Sequence, residues 1–355
     1  MLKEDYNVIG VMSGTSLDGV DLVYVNFKVN DDVWSFNCLD TETVSYTAGW
    51  GERLKNLTEL SQKDLQQIDC DYTVYLAEII GKFINKYKLK HIDAVCSHGH
   101  TALHQPNKGL TYQIGNRKLL AEKLNQLVVC DFRVQDVSLG GEGAPLVPIG
   151  DELLFKDYDF CLNLGGFANI STKINNERIA YDICPVNIVL NHYVNQLGFA
   201  YDNAGKIASS GMVSKQLLED LNGLDFYKKS APKSLGLEWV KAIFLPIIES
   251  YNLQIKDVLS TVCEHVAIQI SKAVKDKSQT KVLITGGGAY NTYLIERLKS
   301  MTSQEIVIPK NVIVDFKEAI VFGLLGVLKL RNEINCLSSV TGAKNNHSSG
   351  TIFKP

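Results

Sequence analysis

The first hydrophobic run of the chain begins at Val8 and ends in a turn of glycine, serine, threonine and aspartate, and a second run leads away to Phe27. A turn of this kind between two β-prone runs predicts a β-hairpin, and Val33–Leu39 predicts a third strand. Apolar residues then recur at helical spacing over Lys63–Lys88. Shorter elements of this half are predicted at His91–Cys96 (strand), Arg117–Leu127 (helix) and Leu127–Cys130 (strand).

The second half of the chain repeats this order, with a small turn at Gly165-Gly166 between two further apolar runs. Strands are predicted at Asp159–Leu164, Ala168–Thr172, Arg178–Ile183, Lys281–Thr285 and Glu305–Ile308. Helices are predicted at Val186–Gln196, Ser214–Leu221, Trp239–Tyr251, Ile255–Val274, Thr292–Ser300 and Phe316–Leu330. Two such halves predict an α/β fold of duplicated domains around an interdomain cleft. We expect the polar tail Thr341–Pro355 to wrap the surface.

Composition narrows the function classes. The chain has 355 residues, 45% hydrophobic and 21% charged, which suits a globular protein of two domains. A formal net charge of −3 and the lack of a dense Lys/Arg stripe argue against a nucleic-acid partner. No apolar run reaches the ~20 residues of a membrane span, and no signal pattern opens the chain, so we expect a cytoplasmic protein. The eight scattered cysteines predict buried free thiols.

Small and hydroxylated residues make the two hairpin turns candidates for phosphate binding, because they leave backbone N–H groups accessible. In the first turn, Asp18 or Asp21 can also hold a metal-bound water. The glycines Gly286–Gly288, between a strand and a helix, suit a nucleoside. Ordinary tight turns are the structural alternative for all three. No G-x-x-x-x-G-K-[ST] pattern occurs, which excludes a P-loop nucleotide site.

Asp182 lies at the end of a predicted strand, where a carboxylate can accept a proton from a nucleophile. The alternative is a helix N-cap, with Pro185 in the first helical turn.

Three histidines, His98, His100 and His104, follow the strand that ends near Cys96. Their spacing permits zinc binding, but further ligands are missing from the sequence pattern, so polar substrate contacts or structural hydrogen bonds are favoured. Arg133 offers a fork of donors for a carboxylate, and an ion pair with Asp131 is its structural alternative.

Motifs along nearly the whole chain resemble those of the anhydro-N-acetylmuramic acid kinases, within the actin, Hsp70 and sugar-kinase ATPase superfamily. They are Gly10-Val-Met-Ser-Gly-Thr-Ser-Leu-Asp-Gly-Val-Asp21, Ser97-His-Gly-His-Thr101, Gln113-Ile-Gly115, Asp131-Phe-Arg133, Gly140-Gly-Glu-Gly-Ala-Pro-Leu-Val-Pro148, Asn163-Leu-Gly-Gly-Phe-Ala-Asn-Ile170, Thr285-Gly-Gly-Gly-Ala-Tyr-Asn291, Asp315-Phe-Lys-Glu-Ala319 and Ser339-Val-Thr-Gly-Ala343. In this order they are specific for the family.

The resemblance implies two actin-like (ribonuclease H-like) domains, one of residues 1–130 plus about 340–355, the other of residues 131–339 with the nucleotide site. It implies a cytoplasmic kinase, suggested to be a dimer, that uses ATP and Mg²⁺. Its implied substrate is 1,6-anhydro-N-acetylmuramic acid, and the family works in bacterial cell-wall recycling. Family members open the 1,6-anhydro bridge with water and phosphorylate the released 6-oxygen.

The resemblance also implies roles for individual residues. Asp182 matches the family base and Glu318 the sugar-side carboxylate. The matched nucleotide-binding positions are Gly14, Thr15, Ser16, Leu17, Asp18, Gly19, Val20, Asp21, Gly165, Gly166, Gly286, Gly287, Gly288 and Asn291. The matched sugar-binding positions are His98, Gly99, His100, Thr101 and Arg133. No protein ligand for the metal is assigned; Mg²⁺ is expected to arrive with ATP, through water on Asp18 or Asp21.

The chain departs from the family pattern after Asp182, where Ile183, Cys184 and Val186 replace small or polar residues. We expect the Cys184 side chain to stand where a glycine would let a phosphate approach. A sugar- or nucleotide-binding regulator with weak or no kinase activity is therefore the alternative function. A nucleotide-driven protein of the Hsp70 kind and a metallohydrolase built on the three histidines are less favoured.

Overall fold

The computed structural model describes residues 3–14, 17–275 and 280–355. Its strands are β1 (Asp5–Ser13), β2 (Val20–Asn30), β3 (Val33–Val44), β4 (Ala94–Ser97), β5 (His100–Gln105), β6 (Leu110–Ile114), β7 (Val128–Cys130), β8 (Phe160–Leu164), β9 (Phe167–Ile174), β10 (Glu177–Pro185), β11 (Lys281–Thr285), β12 (Glu305–Val307) and β13 (Thr351–Phe353).

The helices are α1 (Ala48–Lys55), α2 (Gln62–Lys86), α3 (Lys118–Leu124), α4 (Val134–Ser138), α5 (Pro148–Leu154), α6 (Asn187–Asn195), α7 (Lys206–Ser209), α8 (Lys215–Asn222), α9 (Leu237–Trp239), α10 (Leu245–Glu249), α11 (Ile255–Ala273), α12 (Thr292–Met301), α13 (Asn311–Leu330) and α14 (Ser338–Thr341). A π-helical turn, Val240–Phe244, joins α9 to α10 within the single helix that was predicted there. The long periodic segments were therefore predicted well, whereas α1, α5 and the β5–β6 hairpin were not predicted.

The chain divides into two compact units, one of Met1–Leu154 with Phe316–Pro355 and the other of Phe155–Asp315. The boundaries predicted from the sequence, at 130/131 and near 340, differ from this division. Residues such as Leu146, Ile149 and Leu324 pack in the same buried cluster as Val8 and Val25 of the first sheet. Segments 131–154 and 316–339 therefore complete the first unit.

Each unit contains a sheet with the same core order. The first sheet runs β13-β7-β4-β1-β2-β3, and the second runs β10-β9-β8-β11-β12. In both, an antiparallel three-stranded meander is followed by two parallel strands. Tight turns suffice for the meander, whereas parallel strands require crossovers, which α2, α11 and α12 help to supply. The predicted duplicated α/β fold is confirmed.

Helix α13 packs directly on the first sheet. A Cβ atom at Gly10 of β1 would lie 2.0 Å from the carbonyl oxygen of Ala319, and one at Gly326 would lie 2.1 Å from the Cys96 Sγ atom. Glycine at both positions therefore lets the helix backbone approach the strands closely.

The C-terminal tail does not follow the prediction that it wraps the surface. Strand β13 pairs with β7, and Ser349 is buried, donating through Oγ to the Phe132 carbonyl at 2.6 Å and through its backbone N–H to Asn335 at 2.7 Å. Polar residues can occupy this position because their hydrogen-bonding groups are satisfied there.

All eight cysteines are free thiols, and six of them are buried, which confirms the prediction from their spacing. Among the helices of the described ranges, none combines the length and the hydrophobicity that crossing a bilayer requires.

We predict that Gly10→Ala lowers the free energy of unfolding by about 1–3 kcal/mol, because the new methyl group overlaps the α13 backbone. Urea denaturation measures the change. Gly81→Ala in the interior of α2 is the matched control: its methyl group meets nothing within 4 Å, so stability should rise by about 0.5–1 kcal/mol. Equal effects of the two substitutions would show that α13 can move away from β1 at no cost.

Candidate functional site

The chemistry-bearing residues of the first unit follow the carboxyl ends of its parallel strands. Strands β1, β4 and β7 end at Ser13, Ser97 and Cys130. The hairpin tip, His98 and the segment that carries Arg133 come directly after them. Because parallel strands end at the same edge of a sheet, the fold gathers these three segments at one edge, where α/β proteins bind ligands.

The hairpin tip lies between β1 and β2. Thr15 and Ser16 fall outside the described residues, so their predicted role in nucleotide binding remains a prediction. Asp18 is exposed, and Asp21 accepts a hydrogen bond of 2.6 Å from the Thr43 hydroxyl. Gly19 is needed for packing, since a Cβ atom there would lie 2.6 Å from the Val44 carbonyl oxygen.

His100 belongs to a buried polar cluster at the base of this hairpin. Its Nδ1 atom lies 2.8 Å from the Ser13 hydroxyl, which also contacts the Tyr72 hydroxyl at 2.9 Å. Burial lowers the pKa of His100 to about 4, so the ring is neutral at physiological pH. The cluster favours the structural alternative for His100. Next to it, Gly99 has φ +71 and forms the turn that leads to Thr101 on β5.

Arg133 is held by two acceptors. Its Nε atom donates to His98 Nε2 at 2.9 Å, and its Nη1 atom donates to the Gly143 carbonyl at 2.6 Å. His98 Nδ1 faces the Gly99 carbonyl at 2.9 Å, so the ring is protonated on that nitrogen. Burial lowers the pKa of His98 well below its usual range and keeps the ring neutral. His98 therefore orients Arg133, and among the described residues no ion pair joins Arg133 to Asp131.

Glu318 lies in the second turn of α13, which begins at Asn311, five residues earlier than predicted. Burial raises the pKa of Glu318, while Arg133 and Lys317 act to lower it and Asp18 to raise it. Residues from the hairpin tip, the β7 end and α13 therefore share one electrostatic environment. Asp18, Arg133 and Glu318 are far apart in the sequence, so their spacing does not predict that they interact.

In the second unit, the glycine turns divide into two types. Gly165, Gly166 and Gly287 are open, because a Cβ atom at each would meet nothing closer than 3.6 Å. Gly286 and Gly288 are closely packed. A Cβ atom at Gly286 would lie 2.3 Å from Asn163 Oδ1, and one at Gly288 would lie 2.6 Å from Leu164 Cβ. The open glycines leave backbone available for a ligand, and the packed ones bring the β11 turn close to β8.

Asn291, predicted at the nucleoside site, caps α12: its Oδ1 atom accepts from the Leu294 N–H at 3.0 Å, and its side chain is buried.

Asp182 lies on β10, next to Asn169 of β9. Asn169 Nδ2 donates to its Oδ1 atom, and the Leu235 N–H donates to its Oδ2 atom at 2.7 Å. Burial raises the pKa of Asp182, and these two donors act in the opposite direction. The helix N-cap alternative is wrong, because α6 is preceded by Val186 at its N-cap. The contact with Leu235 is 53 residues distant in sequence and was missed for that reason.

Cys184 and Val186 have no exposed surface and belong to the hydrophobic core of the second unit. The expectation that the Cys184 side chain meets a phosphate is therefore wrong. A β-bulge between Asp182 and Cys184 changes which side chains point inward, and sequence alternation alone does not reveal it.

The zinc interpretation of the three histidines finds no support in the described part of the chain. His98 accepts from Arg133, His100 contacts Ser13, and His104 Nδ1 lies 3.1 Å from the Thr111 hydroxyl. These hydrogen bonds favour the structural alternative.

The sequence of the chain matches one known family along nearly its whole length. The sequence model of one family, described as anhydro-N-acetylmuramic acid kinase, matches residues 6–355. The anhydro-N-acetylmuramic acid kinases of Mannheimia succiniciproducens and Vibrio cholerae are each 34% identical to this chain; the alignments cover 99% and 98% of it and 100% and 98% of the relatives. Among solved structures, an activator of 2-hydroxyisocaproyl-CoA dehydratase from Clostridium difficile with bound ADPNP aligns with a TM-score of 0.48 and 15% identity, covering 92% of this chain and 96% of that one.

We predict that Asn169→Ala raises the pKa of Asp182, because it removes a donor that favours the carboxylate form. An NMR titration measures the change by following the carboxyl ¹³C chemical shift of Asp182 as a function of pH. The signal is assigned by its absence from the spectrum of Asp182→Asn. Asn195→Ala, an exposed asparagine on α6, should leave the titration unchanged. An unaltered midpoint in Asn169→Ala would mean that Asn169 does not stabilise the carboxylate.

Proposed function

This chain belongs to the anhydro-N-acetylmuramic acid kinase family and is a phosphotransferase, and we propose that it phosphorylates 1,6-anhydro-N-acetylmuramic acid. In the proposed reaction, water attacks the anomeric carbon and the bond from that carbon to O6 breaks. O6 takes the γ-phosphoryl group of ATP, which gives N-acetylmuramic acid 6-phosphate and ADP. The proposal includes a cytoplasmic role in cell-wall recycling and a homodimer.

Asp182 is the proposed general base. Each of its oxygens accepts one hydrogen bond and has a further lone pair, so the carboxylate can also accept a proton from water. The two donors fix the orientation of the carboxylate, and burial raises its pKa toward the range in which a carboxylate is a more effective base. This restrained, half-buried carboxylate is the observation that carries the proposal.

Arg133 and Glu318 are proposed to bind the sugar. Two of the five guanidinium N–H groups of Arg133 are used by His98 and Gly143, and the others can pair with the lactyl carboxylate of the substrate. Glu318 supplies acceptors for hydroxyl or amide groups. Among the other predicted contacts, we keep Thr101 as a sugar contact and assign His98 and His100 to positioning.

ATP supplies the phosphoryl group, and Mg²⁺ neutralises the negative charge of its phosphates. The open glycines Gly165, Gly166 and Gly287 fit a nucleotide, because nothing fills the space that a side chain would occupy. Asp18 and Asp21 are oxygen donors of the type that holds Mg²⁺-bound water. The burial of Cys184 removes the reason for preferring a regulator without kinase activity.

We predict that the purified protein consumes ATP only when Mg²⁺ and 1,6-anhydro-N-acetylmuramic acid are both present. Mass spectrometry should then find a product heavier than the sugar by one phosphoryl group plus one water. N-acetylmuramic acid, in which the bridge is already open, is the control sugar. If ATP is consumed with N-acetylmuramic acid but not with the anhydro sugar, bridge opening is not part of the reaction.

We predict that Asp182→Asn lowers kcat by roughly 10²–10⁴-fold, because the amide cannot accept the proton of the attacking water. ATP affinity and the midpoint of thermal unfolding should stay near those of the parent chain. Asp225→Asn, an exposed aspartate paired with Lys228, is the control and should retain full turnover. Full turnover by Asp182→Asn would mean that another carboxylate is the general base.

A further inference from the structure

Three side chains of types that bind metals in proteins meet inside the first unit, close to Arg133. Asp136 on α4 lies with Cys336 and His347 of the C-terminal segment, and their ligand atoms are all within 4.8 Å of one another. The three residues are 0%, 1% and 6% exposed. Asp136 is 200 residues from Cys336 in sequence, so only the fold brings it to the other two.

The contacts of the two His347 ring nitrogens show how this side chain could bind a cation. Its Nδ1 atom lies 3.1 Å from the Asn345 carbonyl oxygen, which can only accept, so Nδ1 carries the proton. In the neutral ring, Nε2 is then an acceptor, and it lies 3.6 Å from the Asp136 Oδ1 atom, another acceptor. Nε2 is buried without a hydrogen-bond partner among the described residues. A cation bound to Nε2 would give this buried nitrogen a partner and would lie beside the carboxylate of Asp136.

The rest of the arrangement matches the surroundings of metal-binding histidines. Such histidines commonly donate their other ring N–H to a backbone carbonyl, as His347 does toward Asn345. Cys336 Sγ donates to the same Asp136 Oδ1 atom at 3.0 Å, and the Thr341 hydroxyl donates to it at 2.7 Å. One carboxylate oxygen is therefore the centre of the cluster.

We propose that Asp136 Oδ1, Cys336 Sγ and His347 Nε2 bind a structural Zn²⁺ ion, with the Thr341 hydroxyl beside the fourth position. A thiolate, an imidazole and a carboxylate form a donor set for zinc, whereas Mg²⁺ and Ca²⁺ prefer oxygen ligands alone. On binding, the Sγ–H bond of Cys336 breaks, its proton passes to solvent, and the sulfur bonds to the metal as thiolate.

The observed distances are near those that zinc requires. Two ligands at about 2.0 Å from zinc in tetrahedral geometry are about 3.3 Å apart, and the Nε2–Oδ1 distance is 3.6 Å. A sulfur and an oxygen ligand would be about 3.5 Å apart, so the 3.0 Å between Sγ and Oδ1 must widen by about half an ångström. Loss of the Sγ–H···O hydrogen bond removes the reason for the shorter distance.

Metal binding here would attach the C-terminal segment to the loop that holds Arg133. The other oxygen of Asp136, Oδ2, accepts from the Gly143 N–H at 2.7 Å, and the Gly143 carbonyl accepts from Arg133. The inference concerns the stability of this part of the first unit and does not depend on the proposed kinase reaction.

Titration of the chelator-treated full chain with Co²⁺, which takes zinc sites and reports thiolate ligation optically, tests the proposal. We expect saturation at a single equivalent, with a thiolate-to-cobalt charge-transfer band that Zn²⁺ abolishes by displacement. Zinc should also raise the midpoint of thermal unfolding, since it binds the folded chain.

Cys336→Ser should abolish the charge-transfer band, whereas the matched Cys38→Ser on β3, which lies outside the cluster, should keep it. His347→Gln, which retains Cys336, should weaken Co²⁺ binding at least tenfold and provides the test if Cys336→Ser fails to fold. The proposal is overturned if no band forms in the parent chain, if the band persists in Cys336→Ser, or if His347→Gln binds Co²⁺ as tightly as the parent.

Discussion

The close approach of α13 to the first sheet is the contact on which the position of Glu318, one of the groups proposed to bind the sugar, depends. The helix backbone contacts Gly10 of β1 at Ala319, which is the residue after Glu318. On the same turn, Lys317 pairs with Asp151 at 2.5 Å, and both side chains are almost fully buried. Because a buried charge without its partner is costly, this pair resists rotation of α13 about its axis. Gly10 determines how close α13 lies to the sheet. The Lys317–Asp151 ion pair determines in which direction Glu318 points from the helix.

The two groups proposed to act on substrate share a physical arrangement. Arg133 is oriented by a neutral imidazole and a carbonyl, and Asp182 by an amide and a backbone N–H. Neutral partners restrain a side chain without cancelling its charge. A carboxylate partner on Arg133, or a lysine on Asp182, would orient the group equally well but would weaken its attraction for a ligand. Both groups are therefore oriented by hydrogen-bond partners that carry no charge.

Periodicity predicted the long elements and the duplicated sheets, because core-facing residues recur at regular spacing in α2, α11 and the β1–β2 hairpin. Local spacing could not predict Leu235 beside Asp182, or Asp136 beside Cys336, since those contacts join segments that only the tertiary fold brings together. The expectation for Cys184 rested on the family pattern, which does not reveal that this side chain, next to a β-bulge of β10, is buried in the core. The sequence left both a substrate contact and structural hydrogen bonds open for His100, because its polar partner Ser13 is 87 residues away in sequence. Family motifs identify residues that matter, but not whether each one contacts ligand or supports the fold.

The division of the chain has a consequence for how it folds during synthesis. The second unit is one continuous segment, Phe155–Asp315, so all of its contacts are available once that segment has left the ribosome. The first unit is interrupted by the second, so it lacks α13 and the edge strand β13 until residues 316–355 are made. Until then, the apolar faces of β1 and β2 that α13 covers are exposed, and β7 presents an unpaired edge. The unit that includes the earlier segment 1–154 is therefore completed after the unit that follows that segment in the chain.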